Sequence, residues 1–450
     1  MSDRLTPECR MFFPARNLHE LADDLGSRGR RDGGVELRRF PYPYQAALTI
    51  CSDIDGTTTL ERFLSIQRFL NTEDGGSLGP GVGLEIGNSF FPSTPDDSFA
   101  YLSSRPLDRE VIRALIQAGY IDCIHSYGDG LSTRSEVLRI LEILDRDSCK
   151  LKVWIDHARA PSNFGKDTTL GNGDVPESPI YHADQTLKYG IKFVWKDRAT
   201  SIVGQDAPLS LACFARILDC EHPKESSVNV AKEIAKVVLA RFGNRRFSMH
   251  RDNRLLDLAT LSDGQRVYEY KRCNNYWRGL SCSHNIAGLA YVLRPTALQD
   301  LLAAHGYMVI YTHLGAGPGQ PPYIPAETQI ALRALAARSR DGQIWVTTTS
   351  RMLAYHLSRQ CLDWTYQIDL EGCTHITIHR LVEPLAEPFA PQARDLQGLT
   401  FYVPDAERTV VALAAGQAIT IHSNPPDHTG RQSVTIPLEP LVYPLTDLAR

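Results

Sequence analysis

The 450-residue chain lacks several features that would narrow its function at once. None of its ten cysteines falls in a CxxC pair, so neither a zinc knuckle nor a disulfide framework is indicated, and Cys51 and Cys123, each in a strand-like run, read as buried thiols. No apolar run approaches the roughly 20 residues that a membrane span requires. The opening residues MSDRLTPECRMFFPARNLHE are charged from the start and carry no signal-peptide core, which makes the cytoplasm the expected compartment. With a formal net charge of −4 and no Lys/Arg block, the chain offers no groove for a phosphate backbone, so no nucleic-acid partner is expected. Internal repeats and low-complexity segments are also missing.

What is present is a rhythm. From about residue 46, short apolar runs alternate with polar or glycine-rich loops and amphipathic helical stretches, the β-then-α pattern of a parallel sheet or barrel. Strands are expected at Ala47–Ser52, Val82–Ile86, Ile121–His125, Leu151–Ile155, Ile191–Trp195, Phe247–His250, Tyr307–Thr312 and Gln343–Thr348. The helices carry clear stops and starts. RPLDREVIRALIQAG has Pro106 in its first turn and Gly119 past its end, and TRSEVLRILEILDRD opens with Thr133 and Glu136 at capping-box spacing.

Two regions break the pattern. Residues 251–288 read as an insertion with a hairpin at Ser262-Asp263-Gly264 and an aromatic, basic tip. Beyond about residue 372 the helical period gives way to short strands between turn residues, as in a small β-sandwich. The expected fold is thus α/β: an N-terminal extension (1–39), a distorted barrel of seven or eight β/α units (40–365), and a small all-β domain (372–450).

Chemistry gathers at the expected strand ends. TICSDIDGTTT places Asp53 and Asp55 at the end of the first strand. By itself this matches the DxDGT motif of haloacid dehalogenase phosphatases, in which the first aspartate is phosphorylated. That chemistry also needs a lysine and a GDxxxD or DD motif; no lysine occurs between Gly56 and Gly130, and no GDxxxD appears later. A phosphatase using Asp53 remains the alternative reading, with a glycan-binding protein on a decayed hydrolase barrel as a second.

At the third strand end, His125 and Asp129 are four residues apart, a spacing that lets both ligate one metal ion if the loop turns helically. WIDHARAPSNFG offers Asp156, His157 and Arg159, and GNGDVPESPIYHAD offers Asp174 and His182 in a long loop. Trp195 and Asp197 end the fifth strand; His313 follows the seventh, before a loop with Gly315, Gly317 and Gly319. His313 suits a general acid, whereas His157 and His182 also suit plain loop hydrogen bonding. Arg272, Tyr276, Trp277 and Arg278 form the basic aromatic tip, equally suited to stacking on a sugar or to an oligomer contact.

Taken in order, Thr49–Gly56, His125-Ser126-Tyr127-Gly128-Asp129, Arg159-Ala160-Pro161 with Phe164-Gly165, and Val309-Ile310-Tyr311-Thr312-His313 resemble the four motifs of the polysaccharide deacetylase family of carbohydrate esterases. The resemblance covers about residues 44–355. It implies a metal-dependent hydrolase that deacetylates an N-acetylated sugar or a nucleotide- or lipid-linked glycan precursor. It implies Asp53 as general base, oriented by Arg159, and His313 as the acid. Asp55, His125 and Asp129 would hold one divalent ion, zinc first and Mn²⁺ or Fe²⁺ as alternatives. His157, Asp174, His182, Trp195, Arg272 and Trp277 are the expected substrate contacts. The family keeps its two aspartates adjacent; here Ile54 separates them, so base and ligand could exchange between Asp53 and Asp55.

Overall fold

A computed structural model describes residues 34–444, apart from 55, 75, 94–98, 103–104, 128–132, 159, 167, 279–285 and 318. The chain enters through a two-residue strand, β1 (Glu36–Leu37), and then β2 (Ala46–Asp53), whose eight residues are all buried. Parallel strands β3 (Gly87–Phe90), β4 (Ile121–His125), β5 (Val153–Ile155) and β6 (Phe193–Trp195) follow. Next come β7 (Ala199–Thr200), the hairpin β8 (Leu256–Thr260) and β9 (Arg266–Tyr270), β10 (Arg272–Cys273), β11 (Tyr307–Thr312) and β12 (Ile344–Val346).

One curled sheet runs β11-β2-β3-β4-β5-β6-β9-β8, with β12 beside the first half of β2. Among the described residues no ladder joins β8 back to β11, so of the distorted β/α barrel expected the described sheet forms a curled half-barrel. Between its two ends lie the parallel pair β7–β10 and a single bridge from Gln205 to Tyr307.

Period-2 alternation divides β2. Ala46, Leu48 and Ile50 face an outer layer with Leu298, Leu301 and Leu332 of the covering helices, while Ala47 and Cys51 face an inner cluster with Cys123, Ile155, Trp195, Tyr270 and Val309. That parity carries Asp53 to the inner side. The covering helices start as their sequences require: Thr133 and Glu136 close a reciprocal capping box, and Thr59 accepts from the Arg62 N–H at 3.2 Å.

Two expected strands moved. Val82–Ile86 is an irregular lead-in, and the strand is β3, which begins directly after it at Gly87. Phe247–His250 belongs to a 3-10 turn, Arg245–His250, opened by the Asn244 side chain accepting from the Arg246 N–H at 3.0 Å. The sheet position expected there is taken by β9, which pairs in parallel with β6 through Phe193–Tyr268 and Val194–Glu269. The hairpin at Ser262-Asp263-Gly264 forms, but it is part of the main sheet rather than an appendage.

The C-terminal region forms a three-stranded sheet (Leu362–Ile368, Thr374–Leu381, Thr409–Leu413) and a four-stranded one in which β1 pairs with Thr400–Tyr402. Ile376, Phe401 and Val434 of these sheets share one buried cluster with the sheet interior. No helix among the described residues is long and apolar enough to cross a membrane.

Candidate active site

Sheet register assembles the centre. Thr312 of β11 pairs with Ser52 of β2, so His313 lies beside Asp53; His125 pairs with Ile155, and Ile155 with Trp195. All of these lie at carboxyl ends of parallel strands, where β/α sheets keep their chemistry because loops of independent sequence meet there.

Asp53 is fully buried, and its Oδ2 contacts Nδ1 of His125 directly. His313 Nε2 lies 3.9 Å from the same oxygen. The Tyr311 hydroxyl is 3.2 Å from Asp53 Oδ2 and 3.0 Å from His313 Nε2. A carboxylate only accepts, so the hydroxyl donates to Asp53 and must accept from His313, which places a proton on His313 Nε2. Burial is the largest influence on Asp53 and pushes its carboxyl up, but His125, with help from His313 and His157, outweighs it and holds the group below the ordinary carboxylate value. Asp53 is therefore an ionised anchor for three imidazoles.

His157 completes the cluster. Its ring stands edge-on to His125 at 4.6 Å, and Phe91 stacks on His125 at 4.8 Å and meets His157 edge-on at 5.0 Å. The loop that carries His157 is pinned by Asp156, whose buried carboxylate accepts from Trp154 Nε1 at 2.8 Å, Phe164 N at 2.9 Å, and Gly165 N and Thr169 Oγ1, each at 2.8 Å. On the other side, Leu314 N donates to Ser52 Oγ at 3.1 Å and Arg62 Nη2 to the Gly317 carbonyl at 2.7 Å, tying the His313 loop to β2 and its helix. Gly315 is required in that loop because a Cβ there would strike the Thr57 hydroxyl.

Behind the centre lies Arg272, fully buried rather than at an exposed tip. Its guanidinium carbon sits 3.9 Å from the Trp195 ring centroid and 4.3 Å from that of Tyr311, and none of its side-chain nitrogens has a hydrogen-bond partner among the described residues.

The remaining sequence-predicted residues lie elsewhere. His182 is buried, with Nε2 2.7 Å from the Ser162 carbonyl and Nδ1 2.9 Å from Thr186 Oγ1, and burial lowers its pKa to about 4. Asp174 accepts from Ser262 N at 2.8 Å, and Trp277 stacks on His222 at 3.9 Å. Asp55, Asp129 and Arg159 lie outside the described residues. Tyr311 and Phe91 were not singled out from sequence. Tyr311 could have been found by noting that it shares strand parity with Tyr307 and Val309, both inner-facing.

Among the described residues no group of three ligating side chains forms a metal site, and two of the three expected ligands are outside them. What is described fits the part given to His125. A ligating imidazole is ordinarily held by a carboxylate on its other ring nitrogen; with Nδ1 on Asp53, Nε2 is the atom left for an ion. The groups that act most strongly on the Asp53 carboxyl are the imidazoles of His125, His313 and His157.

No protein-family model and no curated protein matches the chain. Among solved structures, an endo-beta1,6-glucanase is similar with a TM-score of 0.32 and 8% identity over 68% of this chain and 79% of that one, a likeness too distant to extend to function.

Proposed function

We propose that the protein is a hydrolase acting on carbohydrate, by removal of an acetyl group from an N-acetylated sugar or glycan precursor. The observation supporting this is the convergence of His125 and His313 on one carboxylate oxygen of Asp53, the three residues coming from the ends of three parallel strands. In the proposed mechanism Asp53 stays ionised and fixes His125 through Nδ1. Asp53 would also be the base that takes the proton of the attacking water, which leaves Nε2 of the held imidazole for the ion. His313 would act as an imidazolium: its Nε2 proton stays on Tyr311, and its Nδ1 proton passes to the leaving amine, leaving the ring neutral. A divalent ion would be held by His125 with Asp55 and Asp129 and would supply polarisation of the acyl carbonyl. Phe91, stacked on His125 and edge-on to His157, excludes water from that side of the pair.

The test is acetate release from N-acetylglucosamine oligomers and from uridine diphosphate N-acetylglucosamine, with and without a chelator. Asp53→Asn and His125→Ala are expected to abolish turnover, and His125→Ala to lower bound metal by elemental analysis. Release of inorganic phosphate with beryllofluoride inhibition would instead identify the phosphatase. Glycan binding without turnover, unchanged in both variants, would identify the non-catalytic binder.

A further inference from the structure

Past the end of β6, and without the Asp53, His125, His157 and His313 side chains, is a cavity of about 720 Å³. It is lined by seven cationic side chains against three carboxylates. Lys196 and Arg198 come from the end of β6, Arg245 and Arg246 from the turn after the helix Pro223–Arg241, and Arg251 and Arg254 from the approach to β8. The carboxylates are spoken for. Glu269 takes Arg198 Nε at 3.1 Å and Lys196 Nζ at 3.9 Å, and Asp257 takes Arg254 Nη1 at 3.0 Å. Asp174 gives one oxygen to Ser262 N, and burial pushes its carboxyl up, toward the neutral form. Arg251 and Arg254 share Asp252, at 3.0 and 3.2 Å. Arg245 and Arg246 form no ion pair within 4 Å among the described residues, although Arg246 acts on the carboxyl of Asp197, and Arg254 keeps a buried Nε without a hydrogen-bond partner.

We propose that this cavity binds the phosphate or diphosphate of a phosphorylated sugar. A single uronate would neutralise only one of the excess positive charges, whereas a diphosphate brings two to three, and guanidinium forks match its oxygens bidentately. The cavity is of a size that holds a glycosyl diphosphate, within the roughly 300–1,000 Å³ of ordinary ligand sites. Strand β6 ties it to the centre: Trp195 is in register with His125 through Ile155, its Nε1 donates to the Arg198 carbonyl at 2.8 Å, and the residues just after it line the cavity. This deepens the deacetylase reading, resting on it for the identity of the sugar end only.

The experiment is isothermal titration of the full chain at about 0.1 M salt, where exposed charges are still felt over ~10 Å. The probes are inorganic pyrophosphate, uridine diphosphate N-acetylglucosamine, a short prenyl diphosphate and a galacturonate trimer. Pyrophosphate is expected to bind, and Arg245→Ser with Arg246→Ser, both at exposed positions, to weaken it at least tenfold. Tighter binding of the nucleotide sugar than of the prenyl diphosphate identifies a nucleotide-linked source, and the reverse order a lipid-linked one. No binding of any phosphate, binding that the double variant retains, or binding of the uronate trimer alone would overturn the proposal. Because no turnover is read, failure of the hydrolase reading leaves this result standing.

Discussion

The Tyr311 hydroxyl donates to Asp53 at 3.2 Å while accepting from His313 at 3.0 Å, so one phenol links the carboxylate of β2 to the imidazole that follows β11. Tyr311→Phe keeps the ring against Arg272 and deletes only that link. Loss of a hydrogen bond to a buried charged acceptor is expected to cost about 1–3 kcal/mol, measured by urea unfolding at neutral pH. Stability unchanged within about 0.3 kcal/mol would show that the hydroxyl does not bond Asp53 in solution.

Acid should act on stability in two windows. His182 has its pKa lowered from 6.5 to about 4 by burial, so between those values the unfolded chain binds the extra proton and stability falls as the pH drops. The expected loss is roughly 3 kcal/mol, from about 1.4 kcal/mol per pKa unit. His182→Gln should remove that part of the slope. The buried His250, also lowered, acts in the same direction, so the readout is the difference between wild type and variant. Asp53 works further down: its stabilisation is present above the ordinary carboxylate value and is lost only as the pH falls below it, because its folded pKa is depressed. A His182→Gln slope identical to wild type between pH 6.5 and 4 would contradict the first assignment.

Gly315→Ala puts a methyl group into the Thr57 hydroxyl and should displace the turn that carries His313. Turnover is expected to fall at least tenfold with only about 1–3 kcal/mol of lost stability, the usual cost of overpacking. Adding Thr57→Gly should restore part of both. Failure of the second change to restore anything would mean that the close approach of the two loops is not what demands glycine.

Arg272 offers a sharper comparison. A buried guanidinium stacked between two rings without hydrogen-bonded partners carries a desolvation cost of several kcal/mol, which an apolar side chain of similar volume avoids. Arg272→Met is therefore expected to unfold at the same temperature as wild type or higher. Arg272→Lys should unfold lower, because a strongly hydrated ammonium cannot stack between Trp195 and Tyr311. A methionine variant less stable by more than about 3 kcal/mol would show that the cation is favourable where it sits.

Much of the centre was legible because strand ends are local features. The apolar run before Asp53, the run before His125 and the run before His313 each mark a strand, and all three formed within a residue or two of the expected bounds. The capping box of Thr133 and Glu136 was equally readable, since its partners are three residues apart. Arg266–Tyr270 was misread as part of an appendage because a hairpin looks the same by itself whether or not β6 waits to pair with its second strand.

By itself, then, the sequence determined which segments become strands and helices and that aspartate and histidine stand at their carboxyl ends, because alternation, caps and turn residues act over a few positions. The tertiary structure alone decided that one carboxylate meets His125, His313 and Tyr311, that Arg272 is buried behind them, and that arginines far apart in the chain line one cavity. Those facts depend on register across the curled sheet, which brings together residues up to 260 positions apart and which no local pattern encodes.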